Sequence, residues 1–242
     1  MKKHRSSQFL AICTAAVLAL SVPAWASQVS ITPLDTGNTT SSQSQSGASE
    51  PSTAQNTSGQ TVDISSITKP TVASQGAVLL NAADGSVLFS KNGDTTYYPA
   101  SITKLMTALL VAENCNLDDT VTFSATATTN LESGAVSIGM AEGDTMTVRQ
   151  CLYALLLKSA NEVGNALAEH VAGSNAAFAE KMNAKAASLG CTNTHFANPH
   201  GLNDPNHYTT PHDMALIARA AFANDIVKTV ASTRTYTLPA TK

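Results

Sequence analysis

A serine hydroxyl and a lysine amine stand three residues apart in Ser101-Ile102-Thr103-Lys104, directly after Pro99-Ala100. A serine hydroxyl is a poor nucleophile until a base removes its proton, and a partly buried lysine with a depressed pKa can be that base near neutral pH. On a helix opening, residues i and i+3 share a face, so this spacing lets the amine reach the hydroxyl. The helix N-terminus adds partial positive charge, which favours negative charge on an attacked carbonyl oxygen. A second cluster, Ser159-Ala160-Asn161, lies where one apolar segment ends and the next begins. There the Ser159 hydroxyl could relay a proton between Lys104 and a leaving amine, and the Asn161 amide could hold both Lys104 and a substrate carbonyl. Taken singly, neither pattern is specific: Ser and Lys meet at this spacing by chance, and Ser and Asn are common helix caps.

These side chains need elements to hold them. Ala77-Val78-Leu79-Leu80 and Ser86-Val87-Leu88-Phe89 predict a β-hairpin, with Asp84-Gly85 supplying the positive φ angles of a tight turn. Two strands alone are marginal in water, so the hairpin requires further sheet partners. Pro99-Ala100-Ser101 opens a helix with Leu105, Met106, Leu109 and Leu110 as its apolar positions. Val148, Cys151, Leu152, Leu155 and Leu156 fall at i, i+3, i+4, i+7 and i+8, which predicts one amphipathic helix from Thr147. The next helix, over residues 160–171, carries Val163, Leu167 and Val171 and closes at Gly173. Ser174 caps a further one that buries Phe178, Met182 and Leu189 and stops at Gly190. Residues 191–209 read as a long ordered loop. Thr210-Pro211-His212-Asp213 reads as a capping-box start, with Met214, Ile217, Ala218 and Phe222 facing inward behind it. The tail at residues 235–238 has strand propensity.

The chain ends are of a different character. Lys2, Lys3 and Arg5, an apolar run over residues 9–22 and Ala24-Trp25-Ala26 predict a secretory signal over residues 1–26, cleaved before Ser27. The apolar run is too short for a stable bilayer-spanning helix. Residues 27–70 hold Ser, Thr, Gln, Gly and Asn with few large apolar side chains, the composition of a flexible tether. Residues 71–242 are enough for one catalytic domain with its own core. The formal net charge is −3 and the sole basic cluster lies in the signal, so no nucleic acid and no anionic membrane surface is expected as partner. Three cysteines follow the signal, which permits at most one internal disulfide. Cys151 falls on an apolar helix face and reads as a buried thiol, and a Cys115–Cys191 bridge stays open. His195, His200, His207 and His212 crowd one region without the spacing of a metal site, and His200 is expected to shape a loop beside the cleft.

In order, the two clusters match the first two elements of the Ser-x-x-Lys, Ser-Asp-Asn, Lys-Thr-Gly set of penicillin-binding proteins and class A β-lactamases, the second appearing as Ser-Ala-Asn. Their surroundings narrow the match. Tyr98-Pro99-Ala100-Ser101-Ile102-Thr103-Lys104-Leu105-Met106-Thr107, Gly143-Asp144-Thr145-Met146-Thr147-Val148 and Leu155-Leu156-Leu157-Lys158-Ser159-Ala160-Asn161 all resemble segments of the low-molecular-weight D-alanyl-D-alanine carboxypeptidases. So do Thr194-His195-Phe196-Ala197-Asn198-Pro199-His200-Gly201-Leu202 and Asp213-Met214-Ala215, and the similarity runs from about residue 75 to the last. The resemblance implies an α+β fold of β-lactamase/transpeptidase type, an antiparallel sheet flanked by helices plus a helical lobe carrying Ser159. It implies attack on the D-alanyl-D-alanine end of peptidoglycan stem peptides, an acyl-enzyme on Ser101, and hydrolytic release of the terminal D-alanine, with β-lactam antibiotics as inhibitors. Carried over residue by residue, Ser101 is the nucleophile, Lys104 the base, and Ser159 with Asn161 the proton relay and positioning pair. No metal and no organic cofactor is implied. Together with the signal, the resemblance places the protein in the cell envelope, outside the cytoplasmic membrane.

The sequence departs from the family pattern at two points. Glu162 stands where many relatives carry Asp, and no Lys-Thr-Gly follows Asn161. Pro239-Ala240-Thr241-Lys242 resembles a stretch upstream of that motif. The expectation is therefore the front of a longer protein. Its sheet is incomplete here, its carboxylate-gripping lysine and one oxyanion donor lie further on, and so would any membrane anchor. On its own, the 242-residue chain is expected to be catalytically poor. One rival is a β-lactamase of the same fold, opposed by the lack of a Glu placed in a loop after the second motif to activate a deacylating water. The other is an inactive wall-binding or regulatory homologue, favoured by the absent third motif and opposed by the intact first two.

Overall fold

The computed structural model describes residues 53–55, 61–63, 70–129 and 131–239, and the predicted signal lies outside them. Within the stretch expected to be a tether, β1 (Thr53–Gln55) and β2 (Thr61–Asp63) pair antiparallel with Ala54 opposite Val62. This hairpin belongs to a unit separate from the one that begins at Ile67.

The larger unit starts with the predicted hairpin, β3 (Ala77–Leu80) against β4 (Val87–Lys91), whose register shifts after Leu79. Its turn is not the two-residue form expected of Asp84-Gly85. Of that pair, only Gly85 has a positive φ, +80°, and its N–H donates to the Asn81 carbonyl across a longer loop. Asp84 contributes through its carboxylate, accepting from the Ser86 N–H at 2.8 Å and the Asn81 side-chain amide at 3.1 Å. Such local bonds hold the chain reversal without a second left-handed residue.

A short 3₁₀ turn, Ala100–Thr103, leads into α1 (Lys104–Asn114). Lys104 and every residue from Met106 to Val111 are buried. A helix shielded on nearly all sides is a core helix rather than a surface one. Around it lie β5 (Thr120–Thr122), α2 (Ala125–Thr129), β6 (Thr145–Thr147), α3 (Val148–Tyr153), α4 (Asn161–Ala172), α5 (Asn175–Ser188), α6 (Pro211–Ala223) and α7 (Asp225–Ser232). β5 and β6 pair antiparallel. Met106, Leu109, Leu152, Leu155, Leu167, Phe178 and Ile217 meet in the core essentially without solvent contact. Burying a side chain of this size contributes about 1.5–3 kcal/mol.

Helix ends follow the sequence signals closely. Thr147 and Gln150 form both bonds of a capping box at α3, Ser174 accepts from the Ala177 N–H at α5, and Gly173 ends α4 with φ +79°. At α6 the expected box is half formed. Thr210 Oγ1 accepts from the Asp213 N–H at 3.1 Å, whereas the Asp213 carboxylate accepts from the Asn193 N–H at 2.8 Å and from Thr194 Oγ1 at 2.7 Å. Asp213 thus ties the 191–209 loop to α6 instead of closing its own cap. Met214 and Ile217 are buried as expected, with Ala221 rather than Ala218 or Phe222 completing the inward face, and Leu189 is only half-buried.

Two further expectations need correction. The single helix predicted from Thr147 changes at Ala154 to a π-helical turn, Ala154–Lys158. The C-terminal region holds α7, which no sequence signal announced, and has no strand at residues 235–238. There Tyr236 stacks on Tyr153 with ring centroids 3.7 Å apart. Cys115, Cys151 and Cys191 are all free, so no Cys115–Cys191 bridge forms, and burial pushes the Cys151 thiol up to about 12.

Candidate active site

The first wall of the site is the turn that precedes α1. Ala100 has φ +50°, a conformation costly for a residue with a Cβ, and Ser101 follows it on the exposed side of the 3₁₀ turn. Lys104, at the first position of α1, is 2% exposed. Its Nζ donates to Ser101 Oγ at 3.2 Å, to Asn161 Oδ1 at 2.9 Å and to the His200 carbonyl at 2.7 Å. All three hydrogens of the ammonium are thereby directed. Burial lowers the Lys104 pKa from its ordinary value to about 8, with the nearby Glu162 carboxylate opposing the fall.

The second wall is the junction between the π turn and α4. The extra residue of the π turn brings the chain out at Ser159, which adopts the left-handed conformation at φ 63° and ψ 32°. Ala160 is extended, and α4 begins at Asn161 with no side-chain cap. Neither Ser159 nor Asn161 therefore serves as the helix cap that the sequence also allowed. The Ser159 hydroxyl is buried with no hydrogen-bond partner among the described residues. Asn161 is held at both ends of its amide: its Nδ2 and its backbone N–H both donate to the Val136 carbonyl, at 2.9 and 3.0 Å, and its Oδ1 receives Lys104.

The third wall is the long 191–209 loop. Gly201, at φ +88°, lies so close to the Ser101 turn that a Cβ there would stand 1.9 Å from the Ala100 carbonyl oxygen. The Pro199 carbonyl accepts from Thr107 Oγ1 at 2.6 Å. His207 Nδ1 accepts from the Ala197 N–H at 3.1 Å, which places the proton on Nε2, where it donates to Thr103 Oγ1 at 2.8 Å. Burial first lowers the His207 pKa to about 4, and burial with the adjacent Lys104 lowers that of His200 to about 3. Both rings are accordingly neutral at physiological pH.

Ser101, Lys104 and Asn161 thus meet in one bonded cluster, and Ser159 sits two residues before Asn161 on the same junction. Sequence patterns alone do not mark Val136, Thr103 or His207 as part of it, and they show Glu162 only as a departure from the family and His200 only as a loop-shaping residue. His200 acts through its carbonyl, which no side-chain pattern could reveal. Val136 and His207 reach the cluster from distant parts of the chain. Thr103 and Glu162 are sequence neighbours of Lys104 and Asn161, so their adjacency was the one signal available for them.

The fold that carries this cluster is that of the D,D-peptidases. The chain aligns with a D-alanyl-D-alanine carboxypeptidase structure from Mycobacterium tuberculosis at TM-score 0.67 and 32% identity, covering 73% of this chain and 66% of that one. It aligns with the structure of a point mutant of the Streptomyces K15 DD-transpeptidase at TM-score 0.66 and 35% identity, covering 70% and 69%. The chain belongs to the D-alanyl-D-alanine carboxypeptidase family, whose model matches residues 63–240. Among curated relatives it is 39% identical over 183 residues to the D-alanyl-D-alanine carboxypeptidase of Streptomyces sp. strain K15. It is 38% identical over 150 residues to the carboxypeptidase DacF of Bacillus subtilis. These alignments cover 71% and 60% of this chain but 62% and 38% of the relatives' own lengths.

Proposed function

We propose that the protein is a serine D,D-carboxypeptidase that removes the terminal D-alanine from peptidoglycan stem peptides and is blocked by β-lactams. The observation that carries this reading is the Lys104 Nζ, buried and 3.2 Å from Ser101 Oγ. In the neutral form, Lys104 takes the Ser101 proton as Oγ attacks the carbonyl carbon of the penultimate D-alanine. The first-turn N–H of Ser101 supplies one donor to the developing oxyanion. As the C–N bond breaks, Ser159 Oγ, which holds no other partner among the described residues, turns toward Lys104 and passes its proton to the leaving amine. Asn161 holds Lys104 in place throughout. Water, deprotonated by Lys104, then attacks the ester and returns Ser101 with its proton. Among the described residues no helix is long and apolar enough to cross a membrane. The signal-like residues 1–26 support export to the cell envelope.

The test, on the protein extended through a Lys-Thr-Gly motif, is labelling with a fluorescent penicillin, with mass spectrometry to locate the adduct, beside release of D-alanine from diacetyl-lysyl-D-alanyl-D-alanine. An adduct on Ser101 together with D-alanine release is expected. Rapid penicillin turnover without D-alanine release would make the protein a β-lactamase, and an adduct elsewhere would refute the site.

A further inference from the structure

Glu162 is 1% exposed, yet it lies at the second position of α4 with its carboxylate turned away from solvent and toward the loop before β6. Its Oε1 accepts three hydrogen bonds: from Ser137 Oγ at 2.6 Å, from the Ile138 N–H at 2.6 Å and from the Gly139 N–H at 3.1 Å. The residue before it, Asn161, grips the same segment from the other side through the Val136 carbonyl. Two neighbouring residues of one helix thus clamp segment 136–139, one by its acceptor and the other by its donors.

We propose that Glu162 is a positioning residue for acylation, anchoring segment 136–139 so that the Asn161 amide stays aimed at Lys104. The inference rests on the reading of Lys104 as the base. The amide of Asn161 has two ends, and its Oδ1 can face Lys104 only while Nδ2 has the Val136 carbonyl to hold it. That carbonyl sits in an irregular, largely exposed loop, with Val136 itself 44% exposed. Backbone of this kind is mobile unless tied. Glu162 provides the tie, because three donors from consecutive residues converge on one oxygen. Charge-assisted bonds to backbone N–H groups are about twice as strong as neutral ones.

The experiment compares wild type, Glu162→Gln, Glu162→Ala and Lys104→Ala in the full chain. It measures penicillin acylation rate against pH and amide hydrogen exchange at Ile138 and Gly139. Glu162→Gln keeps an acceptor for the loop and removes the charge. Rescue is therefore expected: exchange at Ile138 and Gly139 and the plateau rate should stay close to wild type in Glu162→Gln. Glu162→Ala should speed exchange at both amides at least about ten-fold and lower the plateau rate as Asn161 loses its support. Unchanged exchange in Glu162→Ala, or a Glu162→Gln variant no better than Glu162→Ala, overturns the proposal. Acylation undiminished in Lys104→Ala would instead refute the base reading, and the exchange measurement would still decide the anchoring.

Discussion

The Gly201 Cα approaches the Ala100 carbonyl so closely that any side chain at 201 would collide with main chain, its Cβ falling 1.9 Å from that oxygen. Ala100 is itself held at φ +50° immediately before Ser101. The loop that delivers the His200 carbonyl to Lys104 is therefore locked against the turn that presents Ser101. Gly201→Ala adds left-handed strain at φ +88° and a clash that only backbone movement can relieve. The expected loss is about 3 kcal/mol or more of stability, with a larger proportional loss of penicillin acylation. Thermal melts and labelling kinetics on the same preparation check both.

Lys104 leaves a signature in the pH dependence of stability. Its pKa falls from 10.5 in the unfolded chain to about 8 in the fold. Between those values the unfolded state binds more protons, so stability rises with pH across that window on account of this residue. Lys104→Met has no such contribution. The stability difference, wild type minus variant, should grow by about 3 kcal/mol from below pH 8 to above pH 10.5. Denaturant titrations of both proteins at several pH values measure it, and a flat difference would show that Lys104 keeps an ordinary pKa.

Much of the site was legible because its members are local. Ser101 and Lys104 lie one turn apart, and Ser159 and Asn161 flank a helix junction whose apolar segments have clear periods. What was hidden depends on contacts between distant residues or on backbone geometry that side-chain types do not encode. The α3 stripe through Leu155 and Leu156 looks the same whether the chain continues as an α-helix or widens to a π turn, so the exit at Ser159 could not be read. α7 carries Ile226, Val227 and Val230, whose β-branching speaks against helix, but Asn224 caps it through two N–H groups and the core takes Val227 and Val230. The half-formed box at Thr210 shows the same limit, since Asp213 has the right spacing for its own helix and a better use in the loop.

Ser159 combines an unfavourable backbone conformation with a buried hydroxyl that has no partner among the described residues, a pairing that costs stability twice. Ser159→Gly removes both burdens at the expense of a more flexible unfolded chain. The expected outcome is a net gain of about 1 kcal/mol in stability together with a marked loss of D-alanine release, because the proton relay is gone. Unchanged turnover would remove Ser159 from the mechanism, and a melt that moves down would show that its conformation and buried hydroxyl carry no net cost.

The bond from His207 Nε2 to Thr103 Oγ1 spans 104 residues of sequence and links the long loop to the nucleophile turn without using a reacting group. Its two ends are buried, at 2% and 0% exposure. Thr103→Val keeps the shape of the side chain and deletes the acceptor, leaving the imidazole N–H buried without a partner. That costs about 1–3 kcal/mol. The ring cannot escape by flipping, because Nδ1 already accepts from the Ala197 N–H. It cannot usefully take a proton either, since burial holds its pKa down at about 4. The variant should therefore melt lower while its acylation keeps the same pH dependence as wild type, Lys104 and Glu162 being untouched. Thermal melts and a pH series of penicillin labelling measure the two separately. A displaced acid limb in Thr103→Val would mean that His207 acts on Lys104 electrostatically and not merely as a strut between loop and turn.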